Sequence, residues 1–172
     1  MPVSFRAFCE SPEDYRGQHR APQSDEGAPL WDVTGGTYPE SRVYPADVYG
    51  PRGLQYYGTG DPAIDSPSYR LILSYKGHPN RPLTIYRAVP KDVPSAEARI
   101  RPGDWVTPLR GYATSHGRSA LNGDYRLVTK SVYARDLFTD GNSWAEWGYD
   151  PQPFVPVAQE KVIRQRMAAP LP

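Results

Sequence analysis

Residues 83–90 read LTIYRAVP, and the fold turns on taking this stretch as a buried strand. Leu83, Ile85 and Val89 favour extended backbone, while Pro82 and Pro90 close the run at its two ends. Side chains alternate along a strand, so Arg87 shares a face with Ile85 and Val89 and points where apolar groups point. A guanidinium there requires a partner. A carboxylate within the fold would serve, and so would a phosphate or ribose of a ligand, because the planar fork suits each. Both readings stand on the strand alone.

Working outward, 172 residues form one domain, long enough to bury a core. It divides into an arm (1–62), a core (63–157) and a C-terminal helix and tail (158–172). The net charge of +1, with basic residues scattered, gives no phosphate-backbone surface of the kind that nucleic-acid binders carry. Cys9 is the only cysteine, which excludes an internal disulfide and a cysteine-cluster metal site. No stretch approaches the ~20 apolar residues of a membrane span, and MPVSFRAFCESPEDYR lacks the apolar centre of a signal peptide. The expectation is a soluble, cytoplasmic protein that holds no metal. Twenty prolines and 15 glycines favour short strands, short helices and ordered loops.

The arm is rich in Pro, Gly, Tyr and acidic residues and has no sustained period. Trp31, Tyr38, Tyr44, Tyr49, Tyr56 and Tyr57 give it more aromatic surface than a solvated tail carries, so it is expected to wrap the domain, as packing or as one wall of a ligand cleft. Residues up to Gln23 are expected to be mobile. Ser66 and Pro67 read as the cap and first turn of a short helix ending at Gly77 and Pro79. Residues 91–104 form a polar crossing, Trp105, Val106 and Thr107 a short strand, and LRGYATSHG one or two helical turns with Tyr112 and His116 on one face. YRLVTKSVY (125–133) alternates as a strand, ARDLF is a turn-like step, and DGNSWAEWGYDP a loop opening into a strand. The remainder, from Phe154, reads as a final strand, a short basic helix and a frayed end.

Three pieces carry chemistry: Arg87, the Tyr112/His116 pair, and Glu146 between Trp144 and Trp147. Flanked by two indoles, Glu146 is expected to be partly desolvated and to need a cation or hydrogen bond, with Arg87 or Arg110 as the structural choice. His116 can equally be a neutral imidazole bonded to the backbone. His19, His78 and His116 show no zinc-ligand spacing, and there is no GxSxG elbow.

TIYRAVP, then GDWVT with GYATSHG, then DGNSWAEWGYDP, in this order, resemble the ADP-ribosyltransferase domains of large polyvalent proteins in phages and conjugative elements. The resemblance covers roughly residues 64–151, and APLWDVTG and LQYYGTG more loosely. It implies an α+β fold of split antiparallel sheets clasping NAD in a cleft, with transfer of ADP-ribose to a macromolecular acceptor. A protein is the favoured acceptor, with nucleic acid left open, and the setting implied is a mobile-element effector in a bacterial cytoplasm. On this resemblance Arg87 holds the nicotinamide-side ribose or a phosphate, the Ala88 backbone meets the nicotinamide amide, and Tyr112 stacks on the ring. His116 and Thr107 join the NAD site, and Glu146 bonds the ribose hydroxyl and stabilises positive charge as the glycosidic bond breaks. Leu109 stands where many relatives place a hydroxyl. Trp144 stands where arginine-modifying relatives place an acid or amide, so arginine is not the expected acceptor residue. An NAD glycohydrolase and a non-catalytic binding domain of the same fold are the alternatives.

Overall fold

The computed structural model describes residues 20–35 and 43–168. Cys9, His19 and Tyr38 lie outside them, as does most of the segment expected to be mobile. At the start of the described arm, Ala21 and Pro22 are buried, and the Ala21 N–H donates to the Gly103 carbonyl at 3.3 Å. These residues are packed, contrary to the expected mobility up to Gln23.

Two antiparallel sheets make the frame. β1 (Ala28–Pro29), β5 (Leu137–Thr139), β6 (Trp147–Tyr149) and β3 (Trp105–Val106) lie side by side in that order. β2 (Pro82–Pro90) and β4 (Tyr125–Tyr133) form a separate two-stranded ribbon in which Arg87 faces Val128 and Ala88 faces Leu127. A single bridge joins the sheets: Tyr86 N–H donates to the Thr107 carbonyl at 2.8 Å, and Thr107 N–H returns to Tyr86 at 3.0 Å. The expected α+β class and split antiparallel sheets are present.

Among the described residues four α-helices pack around this frame: α1 (Gly53–Tyr57), α2 (Pro62–Tyr75), α3 (Arg110–Ala120) and α4 (Val157–Ala168). α2 starts earlier than Ser66, because Asp61 caps it by accepting from Ala63 N–H at 2.9 Å and Pro62 supplies the pre-set first turn. Pro67 therefore lies inside the helix. α3 is longer than two turns because Ala113 and Gly117 bury a small-residue face. A Cβ on Gly117 would lie 2.4 Å from the Tyr125 ring, so only glycine lets this helix lie so close to β4. The strand expected from Phe154 is absent. Phe154 is exposed, Val155 donates its N–H to the Asn80 side chain, and helix follows. ARDLF resolves into a 3-10 turn (Ala134–Asp136) and the start of β5.

The core draws on the arm, α2 and both sheets. Trp147, Leu30, Val33, Val48, Ile72, Ile85 and Leu137 expose no surface, so arm, α2 and both sheets share one apolar cluster. Burying side chains of this size contributes about 1.5–3 kcal/mol each, which makes the arm part of the folding unit. Its aromatics pack as expected of a wrap: Tyr44 meets Trp144 and Tyr57, each at 5.9 Å between centroids, and Tyr69 of α2 stacks on the same Trp144 at 5.4 Å. At the other end, Asn80 ties α4 down, donating to Val155 and Glu160 at 2.7 and 2.8 Å and accepting from Arg135 at 2.7 Å.

Candidate functional site

Glu146 is positioned by what surrounds it. Trp144 and Trp147 are buried on either side, Trp147 Nε1 donates to the Trp144 carbonyl at 2.8 Å, and Ala145 N–H donates to Ser143 Oγ at 3.0 Å. The tight turn leaves Glu146 half-buried, and its Oε1 accepts the Tyr112 hydroxyl at 2.9 Å. The pair spans 34 positions of sequence and joins α3 to the loop before β6. Burial, followed by the bond to Glu146, pushes the Tyr112 phenol up to about 12, so the hydroxyl keeps its proton and donates. Glu146, expected to be partly desolvated with Arg87 or Arg110 as its structural partner, is half-buried, and its partner is Tyr112.

Arg87 has a different partner. Its Nη1 lies 2.5 Å from Asp104 Oδ1, with the arginine side chain 24% exposed and the aspartate 3%. Nη1 is buried and makes no aligned hydrogen bond, so the contact is an ion pair set by distance rather than by donor geometry. Asp104 is held in turn, since its Oδ2 accepts Arg101 N–H at 2.9 Å and its carbonyl accepts Tyr149 N–H at 3.1 Å. The carboxylate alternative for the strand arginine is thus realised within the fold.

A cleft of about 620 Å³ opens between the start of α2 and one face of α3, within the ~300–1,000 Å³ of organic-ligand sites. Tyr112, Ser115, His116 and Ser119 line it from α3, Tyr86 and Leu109 from β2 and the helix entry, and Asp61 from the cap of α2. These positions on α3 follow the 3–4 residue spacing of a single face. His116 is exposed there, on the cleft wall rather than buried against backbone. Thr107 is buried beside the cleft entry and its Oγ1 accepts the Leu109 N–H at 3.0 Å, which turns the chain into α3. Arg87 and Ala88 follow Tyr86 on β2, but neither is among the residues lining this cleft.

No family model, no curated protein and no solved structure matches the chain. Geometry therefore carries the reading of the site. Among the described residues no three His, Cys, Asp or Glu side chains gather where they could hold a metal ion, and no helix is long and apolar enough to cross a membrane. Sequence reasoning missed three site residues. Tyr86 was legible by alternation, since it occupies the strand face opposite Arg87. Asp61 was legible as the acid before Pro62. Asp104, in the turn RPGD, offered no signal that it would meet β2.

Proposed function

We propose that this chain is an NAD-dependent ADP-ribosyltransferase that moves ADP-ribose from NAD to a macromolecular acceptor, protein before nucleic acid, and releases nicotinamide. The observation that carries the reading is the 2.9 Å hydrogen bond from Tyr112 to Glu146 beside the cleft. It unites the aromatic of the GYATSHG motif with the carboxylate of SWAEWGY, the two residues that the resemblance assigns to the nicotinamide ring and to the ribose. The split antiparallel sheets and the organic-ligand volume of the cleft support the same assignment.

In this reading nicotinamide leaves with the electron pair of the glycosidic bond, and the ribose passes through an oxocarbenium-like state. Glu146 stabilises that charge from a half-buried position where its Coulomb field is less screened than in water. Tyr112 covers the nicotinamide and fixes the rotamer of Glu146 through its hydroxyl. The resemblance gives Arg87 the ribose or a phosphate and the Ala88 backbone the carboxamide, but Arg87 is paired with Asp104 and neither residue lines the cleft, so these two roles are not assigned to this chain.

The test is nicotinamide release from NAD by the purified chain, in buffer and in bacterial lysate, beside Glu146→Gln. This substitution keeps volume and removes charge, and it is expected to cost ~10²- to 10³-fold in turnover while NAD binding persists. Release that depends on lysate, with label on a macromolecule, establishes the transferase, and equal release in buffer identifies a glycohydrolase. A second reading, a non-catalytic binding domain, draws on the internal partners of Arg87 and Glu146. Absence of release from a folded protein would favour it.

A further inference from the structure

We infer that His116 is the general base that takes the proton of the incoming nucleophile. This inference rests on the transferase reading and adds a residue and a step to it. Transfer breaks the C1′–N bond, whose electron pair leaves on nicotinamide, and forms a bond from C1′ to an oxygen, nitrogen or sulfur of the acceptor. That atom arrives carrying a proton and must lose it. Glu146 is committed elsewhere: its Oε1 accepts the Tyr112 hydroxyl, and its charge is needed at the ribose. Asp61 also lines the cleft, but its Oδ1 caps α2 by accepting from Ala63 N–H at 2.9 Å.

His116 has the required placement. It follows Tyr112 by four residues on the same face of α3, about 5–6 Å away between Cβ atoms, and it lines the cleft with its side chain exposed to an entering group. Beyond it Ser119 carries the same face on to about 10 Å from Tyr112 along the helix, still within the cleft lining. The polar and charged side chains that share the cleft lining with His116 are Asp61 from the cap of α2, Tyr86 from β2, and Arg110, Tyr112, Ser115 and Ser119 from α3, with Glu146 bonded to Tyr112 and Tyr125 of β4 against Gly117. A positioned imidazole acting as general base contributes ~10²- to 10⁴-fold.

The experiment compares wild type, His116→Ala and Glu146→Gln in nicotinamide release in bacterial lysate, net of release by lysate alone, with and without sodium azide. Azide attacks C1′ without losing a proton. His116→Ala is expected to lose ~10²-fold or more in turnover. Azide is expected to restore its nicotinamide release, with ADP-ribosyl azide as product, and to leave Glu146→Gln inactive. Turnover of His116→Ala that stays at the wild-type level, or that azide fails to restore, overturns the base assignment while an inactive Glu146→Gln leaves the transferase reading standing. No release from wild type overturns both.

Discussion

Replacing Tyr112 by Phe removes one hydroxyl and leaves the ring, which separates the two roles assigned to this side chain. The hydroxyl donates to Glu146 Oε1 at 2.9 Å, and burial with the Glu146 bond pushes the phenol up to about 12. It is therefore a proton donor throughout the neutral range. A hydrogen bond to a charged group contributes about 1.5–3 kcal/mol. Both partners are half-exposed, so water replaces part of the loss, and about 1–1.5 kcal/mol is the reasonable expectation. For a domain of this size that is a fall of about 2–6 °C in Tm. The same energy, if spent on holding Glu146 toward the ribose, corresponds to about a tenfold loss of turnover. NAD affinity should stay within about threefold, because the ring remains available for stacking, whereas Tyr112→Ala should weaken it by about tenfold or more. The assays are thermal melting, calorimetric titration of NAD and nicotinamide release. Wild-type turnover in Tyr112→Phe, beside an inactive Glu146→Gln, would refute the claim that Tyr112 positions the carboxylate. Unchanged NAD affinity in Tyr112→Ala would refute the stacking role.

Two further outcomes test the frame around the site. A Cβ on Gly148 would lie 1.8 Å from the Pro22 carbonyl oxygen, and β6 is held by β3 and β5 on its two sides, so Gly148→Ala should expel the arm at a cost above about 3 kcal/mol in urea unfolding; a near-wild-type midpoint would show that the arm is not docked there. Stability should be flat from about pH 7 to 10 in thermal melts and fall on both sides. Tyr44, raised to about 12 by burial and then Asp140, and Tyr112, raised to about 12 by burial and then Glu146, contribute stability that is present below pH 10 and lost as pH rises to 12. On the acid side His78, lowered chiefly by burial, withdraws stability below about 6.5 because the unfolded chain binds its proton first. Asp65 follows below 3.8: burial raises it, but the hydrogen bonds from Thr59 and Gly60 outweigh burial and bring it down, so its contribution is lost as pH falls through the depressed value. A flat melting temperature through pH 10–12 would contradict the burial of these phenols.

The two long strands were legible because their signals are local. Proline ends and period-two alternation define β2, and the same alternation defines β4 with its ends at Tyr125 and Tyr133. Helix starts were less so, because Ser66–Pro67 and Asp61–Pro62 are both competent cap pairs, and the one used is the second, where Asp61 accepts the Ala63 N–H. The strand expected from Phe154 failed for a different reason. Its apolar residues are exposed, and the segment is held by Asn80 and by Arg135, which sits over the Phe154 ring at 5.6 Å. That hub joins positions 80, 135, 155 and 160, a pattern with no period to detect. At the site, Tyr112, His116 and Glu146 stood out by residue type and spacing, while the Arg87–Asp104 pair depends on a turn that only the folded sheet brings to β2.

The same spacing on α3 serves packing and site at once. Ala113 and Gly117 are buried and small, and they let the helix lie against the β2–β4 ribbon with Gly117 on the Tyr125 ring. Tyr112 and His116, each one residue earlier, are rotated about 100° away and line the cleft instead. A helix pressed this closely onto its support has little freedom to roll, so the Tyr112 hydroxyl is delivered to a fixed place. Glu146 meets it from an equally fixed place, because Trp144 is gripped by Tyr69 and Tyr44 and Trp147 is sealed in the core. Catalytic constellations work when their members are held within about 0.5 Å by packed neighbours. Here both members of the pair project from backbone whose neighbours Ala113, Trp144, Ala145 and Trp147 are buried, which makes their hydrogen bond a consequence of folding.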